Sequence, residues 1–193
     1  MTDSTTPDRM PANALTTPVA AVPIAEPGRE PIPYDRTLQV LAAAPMLWLS
    51  TTRPTRGPHV RPVLAVVVDG LLYSTSNPRA VKARNLTDDP RSAICARDEE
   101  MDVVFEATAR RVDDLDVLRQ VARAYDEKYG WPVTIENGAY LAPYGAPTAG
   151  PPPYHLYSFT PTTVYAFGTT ETFAPRSTRF AFAPGRRQAA PTV

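Results

Sequence analysis

Short runs of β-forming residues, separated by turn residues, are the dominant pattern from residue 46 onward. Runs of about 4–8 such residues, bounded by Gly, Pro, Asn or Asp, are typical of antiparallel strands. The Asp69-Gly70 pair is a strong signal for a hairpin between two of these runs. The pattern predicts six main strands and a short last one, at residues 46–52, 59–68, 71–75, 91–96, 103–112, 154–159 continuing at 163–167, and 178–182.

Three segments have the residue spacing of a helix. The clearest is 113–129, where apolar residues repeat along one face and Gly130 follows as a stop signal. A second helix is predicted at 77–86, with Asn77 as its N-cap, and a third at 35–44. Together with the strands, they predict a mainly β (α+β) fold: a six-stranded antiparallel β-barrel of Greek-key type with flanking helices. Closure into a barrel would remove the exposed strand edges of a small sheet.

The 23 prolines are concentrated outside these elements. Residues 1–33 are rich in Pro, Thr and Ala without periodicity, which predicts a disordered N-terminal tail. Residues 34–183 then form one domain, in which 132–153 is a long Pro-rich loop. Residues 184–193 are predicted to be a flexible C-terminal tail.

Charge and cysteine content narrow the functional classes. The formal net charge is +0, which argues against a nucleic-acid-binding protein or a membrane-surface protein. Cys95 is the only cysteine, so no disulfide can form within the chain. No apolar run approaches the roughly 20 residues that span a bilayer, and no signal-peptide pattern is visible. We therefore expect a cytoplasmic protein.

The strongest chemical signal is a strand that ends in three hydroxyl residues, 74–76, followed at once by a basic helix. A helix N-terminus with nearby hydroxyls suits a phosphate group. Arg79 and Lys82 are three residues apart, so both would lie on one helical face and could bind that phosphate. The alternative is a solvated basic helix, neutralised by the acidic pair at 88–89.

A second signal is the basic, proline-containing strand around His59. On a regular strand His59, Arg61 and Val63 face one side, and Val60 and Pro62 face the other. Pro62 removes a ladder hydrogen bond, which indicates a sheet edge, a bulge or a place where a flat heterocycle meets the backbone. The alternative is a surface histidine or one satisfied within the fold.

Other chemistries are poorly represented. Aromatic and arginine residues alternate over 165–182, which suits stacking or a subunit contact, with edge-strand packing as the alternative. Two histidines and one cysteine do not form a metal site of familiar spacing. Because no nucleophile motif or acid pair stands out, redox chemistry would require a cofactor.

The order of several sequence runs resembles the pyridoxamine 5'-phosphate oxidase-like family, and in particular its branch of flavin and deazaflavin oxidoreductases. The resemblance covers about residues 35–182, and one departure is Phe180, where the family has a Trp after the Thr-Arg pair. The runs are WLSTTRPTRGPHVRPV, DGLLYSTSNPRAVKARNLTDDPRSAI, VVFEATARRV, AYDEKYGWP and TRFAF.

The resemblance implies an FMN-binding split barrel that forms a homodimer, with FMN or the deazaflavin F420 between the subunits. It would transfer a hydride between this cofactor and a small organic substrate. Proton donors are weakly indicated at His59, Tyr73 and Tyr165. The alternatives are a non-catalytic protein that stores or senses a flavin or haem, and a structural dimerisation module. The implied cofactor-binding residues are His59, Val60, Arg61, Pro62, Val63, Ser74, Thr75, Ser76, Arg79, Lys82, Asn85 and, from the partner subunit, Arg179.

Overall fold

The computed structural model describes residues 16–144 and 150–183. Nine strands form one antiparallel sheet and two more form a separate hairpin. The strands are β1 Ala20–Pro23, β2 Leu47–Arg53, β3 Gly57–Val63, β4 Ala65–Val68, β5 Leu71–Ser76, β6 Arg91–Arg97, β7 Met101–Val112, β8 Thr134–Glu136, β9 Ala139–Leu141, β10 His155–Gly168 and β11 Thr178–Ala181.

Among the described residues, three helices flank the sheet: α1 Tyr34–Ala43, α2 Val81–Asp88 and α3 Leu115–Tyr129. Asp114 caps α3 by accepting hydrogen bonds from the N–H groups of Asp116 and Val117, and Gly130 ends it in the left-handed conformation. A short 3-10 helix, Ala174–Arg176, precedes β11. Within the described residues, none of the helices combines the length and the apolar character needed to cross a membrane.

The main sheet splits at Leu64. One set of ladders runs in the order β1, β11, β10, β7, β6, β2, β3, while β4 pairs with β5 and β5 pairs with β10. The long strand β10 therefore contributes to both branches. β3 and β4 are consecutive in the chain and are separated only by Leu64, where the backbone leaves one branch and enters the other.

The split is fixed by side chains that donate to two adjacent carbonyls. Tyr125 Oη and Ser74 Oγ both donate to the Leu64 carbonyl, each at 2.9 Å. Lys128 Nζ and Tyr129 Oη donate to the Ala65 carbonyl, also at 2.9 Å each. Helix α3 thereby sets the position at which β3 ends.

Two apolar clusters lie on either side of the β4–β5 branch. The larger fills the space enclosed by the main sheet and α1, around Leu47, Phe105 and Phe159. The second lies beneath α3 and is rich in aromatic rings, with Tyr125 and Trp131 at a centroid distance of 5.4 Å. Both clusters include residues of β4 and β5, so this branch is packed on both of its faces.

The predicted mainly β, antiparallel fold with flanking helices is confirmed, but several details of the prediction are wrong. The closed six-stranded barrel is replaced by a nine-stranded sheet whose ladders do not close, because β3 and β4 pair with β2 and β5 and not with each other. Within the long loop 132–153, β8 and β9 form a hairpin, since Asn137 and Gly138 both adopt the positive φ that a tight turn needs.

The N-terminal tail is a second correction. Residues 16–33 are ordered against the sheet, because β1 pairs with β11 and the Ile32 N–H donates to Thr178 Oγ1 at 2.9 Å. Ile32 is buried in the main core, which explains how a segment of low periodicity is held. The predictions for residues 1–15 and 184–193 fall outside the described residues.

Candidate functional site

Strand β3 forms an edge of the main sheet, and among the described residues its outward backbone groups have no ladder partner. It pairs with β2 alone, with His59 opposite Thr51 and Pro62 opposite Trp48. An edge position explains how Pro62, which lacks an N–H, is tolerated within the strand. The edge interpretation of Pro62 is therefore confirmed. His59 and Val63 are buried, while Val60, Arg61 and Pro62 are exposed.

His59 is anchored to helix α2 through a buried chain of polar side chains. Asn85 Nδ2 donates to Thr51 Oγ1 at 2.9 Å, and Thr51 Oγ1 lies 3.5 Å from His59 Nδ1. All three side chains are buried. These hydrogen bonds fix α2 against β2 and β3, and Asn85 uses one of its two amide N–H groups for the bond to Thr51.

The charges of three cations act on His59, and we call Arg53, Arg61 and Lys82 the cationic cluster. The pKa of His59 is lowered, mainly by burial and then by the charges of all three cations. The pKa of Lys82 is also lowered, by burial and by the charge of Arg61. Within the described ranges 16–144 and 150–183, no member of the cluster forms an ion pair.

One donor in the cluster is buried without a partner. Arg53 Nε has no hydrogen-bond acceptor in the part of the chain that the structure describes, although Arg53 Nη2 donates to the Pro58 carbonyl at 3.3 Å. A buried donor of a charged group that has no partner lowers the stability of the fold, so such donors are nearly always hydrogen-bonded in folded proteins. The oxygen acceptors and the charge of an anion would match these donors.

Two of the three hydroxyls at 74–76 form hydrogen bonds within the fold and do not face solvent. Ser74 Oγ donates to the Leu64 carbonyl, and Ser76 Oγ donates to the Asn77 carbonyl at 3.3 Å. Both serines are almost fully buried, whereas Thr75 is half-buried. The structure places all three at the end of β5 beside α2, but it shows Ser74 and Ser76 donating to backbone carbonyls.

Arg79 does not lie on the same helical face as Lys82, because the helix starts later than the sequence predicts. α2 begins at Val81 with Ala80 as its N-cap, and Asn77 Oδ1 instead accepts from the Arg79 N–H, at 2.8 Å, in the preceding turn. Arg79 lines a separate cavity of about 550 Å³. The described wall of that cavity includes no member of the cationic cluster. It is formed by Asn77, Pro78, Arg79, Ala80, Gly150, Pro151, Pro152 and Pro153.

Tyr73, Tyr165 and Arg179 lie away from the cluster. Tyr73 is buried in the aromatic cluster beneath α3, and burial raises the pKa of its hydroxyl. Tyr165 is on β10 and stacks on Phe167, with ring centroids 5.6 Å apart. Arg179 is exposed on β11 opposite Tyr165, and β11 is a neighbour of β10 and β1 but not of β3.

A continuous row of residues crosses the outer face of the main sheet, and we call it the outer row. Trp48 is 48% exposed and lies at the β3 end, while Tyr165 and Arg179 lie at the other end. The half-exposed Val104 and Cys95 lie between them. In order of strand pairing, the row is Pro62, Trp48, Cys95, Val104, Tyr165 and Arg179.

Sequence reasoning missed Thr51 and Arg53 as site residues. Thr51 alternates in phase with the buried Leu47 and Leu49, so a polar residue at that position was a signal of an internal hydrogen bond. Arg53 is two residues further along the same strand and faces the same side. Among the described residues, no three His, Cys, Asp or Glu side chains lie close enough together to hold a metal ion.

Comparisons with known proteins agree with this architecture. The family model described as pyridoxamine 5'-phosphate oxidase matches residues 35–168. A conserved hypothetical protein from Mycobacterium tuberculosis is 17% identical, with 88% of this chain and 100% of that chain covered and a TM-score of 0.60. A NimC/NimA family protein from Clostridium acetobutylicum is 15% identical, with 77% and 92% covered and a TM-score of 0.55. No curated protein matches significantly.

Proposed function

The chain belongs to the pyridoxamine 5'-phosphate oxidase family, and from this premise we propose that it is a flavin- or deazaflavin-dependent oxidoreductase. It would transfer a hydride between a bound cofactor, FMN or F420, and a small organic substrate. The cofactor phosphate would bind at the cationic cluster, and the ring system would lie along the exposed edge of β3. We also propose that the protein works in the cytoplasm.

The observation that carries the proposal is the cationic cluster without a counter-ion. Arg53, Arg61 and Lys82 lower the pKa of the buried His59, and the described residues supply no carboxylate to pair with them. Holding like charges together costs free energy unless an anion offsets them. A phosphate offers oxygen acceptors for the guanidinium groups and a charge for the ammonium group.

Edge strand β3 supports the position of the ring. Its outward backbone groups between His59 and Val63 have no ladder partner among residues 16–144 and 150–183, and the Arg61 guanidinium donates to the Val60 carbonyl at 2.8 Å. A planar heterocycle with donors and acceptors along one side can pair with such an edge, as an added strand would. When bound, the cofactor would supply the hydride chemistry, and the protein would supply orientation and shielding from water.

His59 would act as a neutral group in this site. Its lowered pKa keeps the imidazole uncharged near neutral pH, and Thr51 fixes the ring orientation. The Thr51 hydroxyl contacts His59 Nδ1, with donor and acceptor set by the tautomer. The second ring nitrogen, Nε2, would then hold a hydrogen bond to a ligand. We assign His59 a binding role on this basis.

A second copy of the chain would complete the site. The outer row exposes Trp48 and joins the β3 edge to Arg179 across the sheet. Exposed apolar surface of this kind favours a protein contact. We propose a homodimer in which Arg179 of the partner subunit reaches the cofactor. Within one chain Arg179 lies on β11, which is not a neighbour of β3 in the sheet.

A non-catalytic flavin- or haem-binding protein is the second candidate function. The observation in its favour is that Tyr73 is buried in the aromatic cluster and His59 is held neutral, so neither is an evident proton donor. Such a protein would bind the ligand with the same residues and would not turn over. Steady-state assays with a reductant and a panel of quinones and enones separate it from an oxidoreductase.

The test of the proposal is a fluorescence titration of the full chain with FMN and, separately, with F420. We expect saturable binding of one of them, weakened about 10- to 100-fold in Lys82→Ala, because a charged hydrogen bond to phosphate is lost. Arg84→Ala is the matched control, since Arg84 is an exposed residue on the same helix. Equal weakening in both variants, or no binding of either cofactor to the wild type, would contradict the proposal.

A further inference from the structure

The cavity beside the start of helix α2 has no part in the proposed cofactor site. It has a volume of about 550 Å³ and lies between residues 77–80 and 150–153. Ligand sites in proteins commonly fall between about 300 and 1,000 Å³. We propose that it is a second ligand site, which binds a small organic acid through Arg79 and an apolar wall.

Hydrogen bonds hold the two walls of the cavity together. Asn77 Nδ2 donates to the Pro151 carbonyl at 2.7 Å, and Asn77 Oδ1 accepts from the Arg79 N–H. Tyr154 Oη donates to the Gly150 carbonyl at 2.6 Å. Tyr154 is itself buried in the aromatic cluster beneath α3, so the 150–153 wall is anchored to the core. The cavity is therefore held open by the fold.

The lining combines apolar surface with one cation. Pro78, Pro151, Pro152 and Pro153 present rings, and Ala80 adds a methyl group. Arg79 is the charged residue of the described wall, and its guanidinium makes no hydrogen bond or ion pair with the described residues. Its backbone N–H is already bonded to Asn77. An uncommitted guanidinium beside an apolar wall suits a carboxylate or phosphate on an apolar body.

This site is distinct from the cationic cluster, because α2 begins only at Val81 and Arg79 lies in the turn before it. Burial and then the charge of Arg61 lower the pKa of Lys82, and the charge of Lys82 in turn contributes to the lowered pKa of His59. Lys82 does not line the cavity. The two sites would therefore respond to different substitutions. A single ligand would not be expected to depend equally on Arg79 and on Lys82.

The test uses benzoate as the probe and benzamide as its neutral analogue, in calorimetric titrations of the full chain. We expect benzoate to bind saturably and benzamide to bind about tenfold more weakly, because only the acid pairs with the guanidinium. Arg79→Gln should lower benzoate affinity by a similar factor. Arg84→Gln, which changes an exposed cation of α2 outside the cavity, should leave benzoate affinity within about twofold.

Three outcomes would overturn the inference. The first is the absence of saturable benzoate binding to the wild type, and the second is equal binding of the acid and the amide. The third is competition between benzoate and FMN or F420, which would assign the cavity to the cofactor. Failure of the protein to bind either cofactor leaves these titrations unaffected, so the two proposals fail separately.

Discussion

The split at Leu64 leads to a prediction about non-additive stability. The Leu64 carbonyl accepts from Tyr125 Oη and from Ser74 Oγ, both at 2.9 Å, and Tyr125 and Ser74 are almost fully buried. Tyr125→Phe or Ser74→Ala alone leaves one donor on this oxygen. The double substitution leaves this carbonyl without the two donors that satisfy it in the native fold.

The magnitudes follow from the two kinds of loss. Each single substitution removes one buried hydrogen bond and should lower the free energy of unfolding by about 1 kcal/mol. The double substitution adds the desolvation cost of an unsatisfied carbonyl, roughly 1–3 kcal/mol more than the sum of the singles. For a chain of this length, 1 kcal/mol corresponds to about 2–4 °C in Tm.

The assay is urea unfolding followed by far-UV circular dichroism on the four members of the double-mutant cycle. A matched control cycle combines Ser74→Ala with a substitution at Tyr140 in place of the one at Tyr125. The Tyr140 hydroxyl donates at 2.7 Å to the Leu118 carbonyl, whereas Ser74 donates to the Leu64 carbonyl, so these two residues share no acceptor. Tyr140→Phe and Ser74→Ala should therefore be additive. Additivity in the Tyr125 cycle, or equal coupling in both cycles, would refute the shared-acceptor argument.

Three further predictions follow from individual contacts. Burial and nearby cations lower the pKa of His59, so the folded state resists a proton that the unfolded chain binds near pH 6.5. The wild type should therefore exceed His59→Gln in free energy of unfolding by its full amount above pH 6.5, and this difference should shrink as the pH falls below 6.5. Urea titrations from pH 8 to 5 that show a constant difference would contradict this. Asp114→Ala should lower the free energy of unfolding by about 1 kcal/mol, because two N–H groups at the start of α3 lose their acceptor. The control Asp113→Ala, at an exposed residue, should lower it by under about 0.5 kcal/mol, and thermal melts of both variants measure the difference. Gly168→Ala should cost more than about 4 kcal/mol, because a Cβ would lie 2.1 Å from the Phe173 carbonyl carbon; a Tm near that of the wild type would exclude this packing.

The sequence alone determined the secondary structure of the central domain and its family. Alternation of buried and exposed positions fixed β7, because a long strand with one face on the core carries its own pattern. Asp69 and Gly70, both at positive φ, fixed the hairpin between β4 and β5. Apolar spacing and the terminal Gly130 fixed α3. Each of these signals is local in the chain.

Long-range pairing decided what the sequence missed. β1 carries no strand pattern of its own, and it is a strand because β11 offers it an open edge. The break at Leu64 divides a run that reads as one continuous strand, because helix α3, more than 60 residues away, binds the carbonyls of Leu64 and Ala65. Neither feature can be found by examining neighbouring residues.

The candidate site shows the same division. The sequence selected His59, Arg61 and Lys82 as binding residues from composition, edge strand and resemblance. Only the tertiary structure gathered them around one histidine, added Thr51 and Arg53, and separated Arg79 into its own cavity. Helix α2 begins two residues after Arg79, and that small shift decides the direction in which a long side chain extends. Local sequence fixes which residues are available, whereas the packing of α2 on β2 fixes which of them meet.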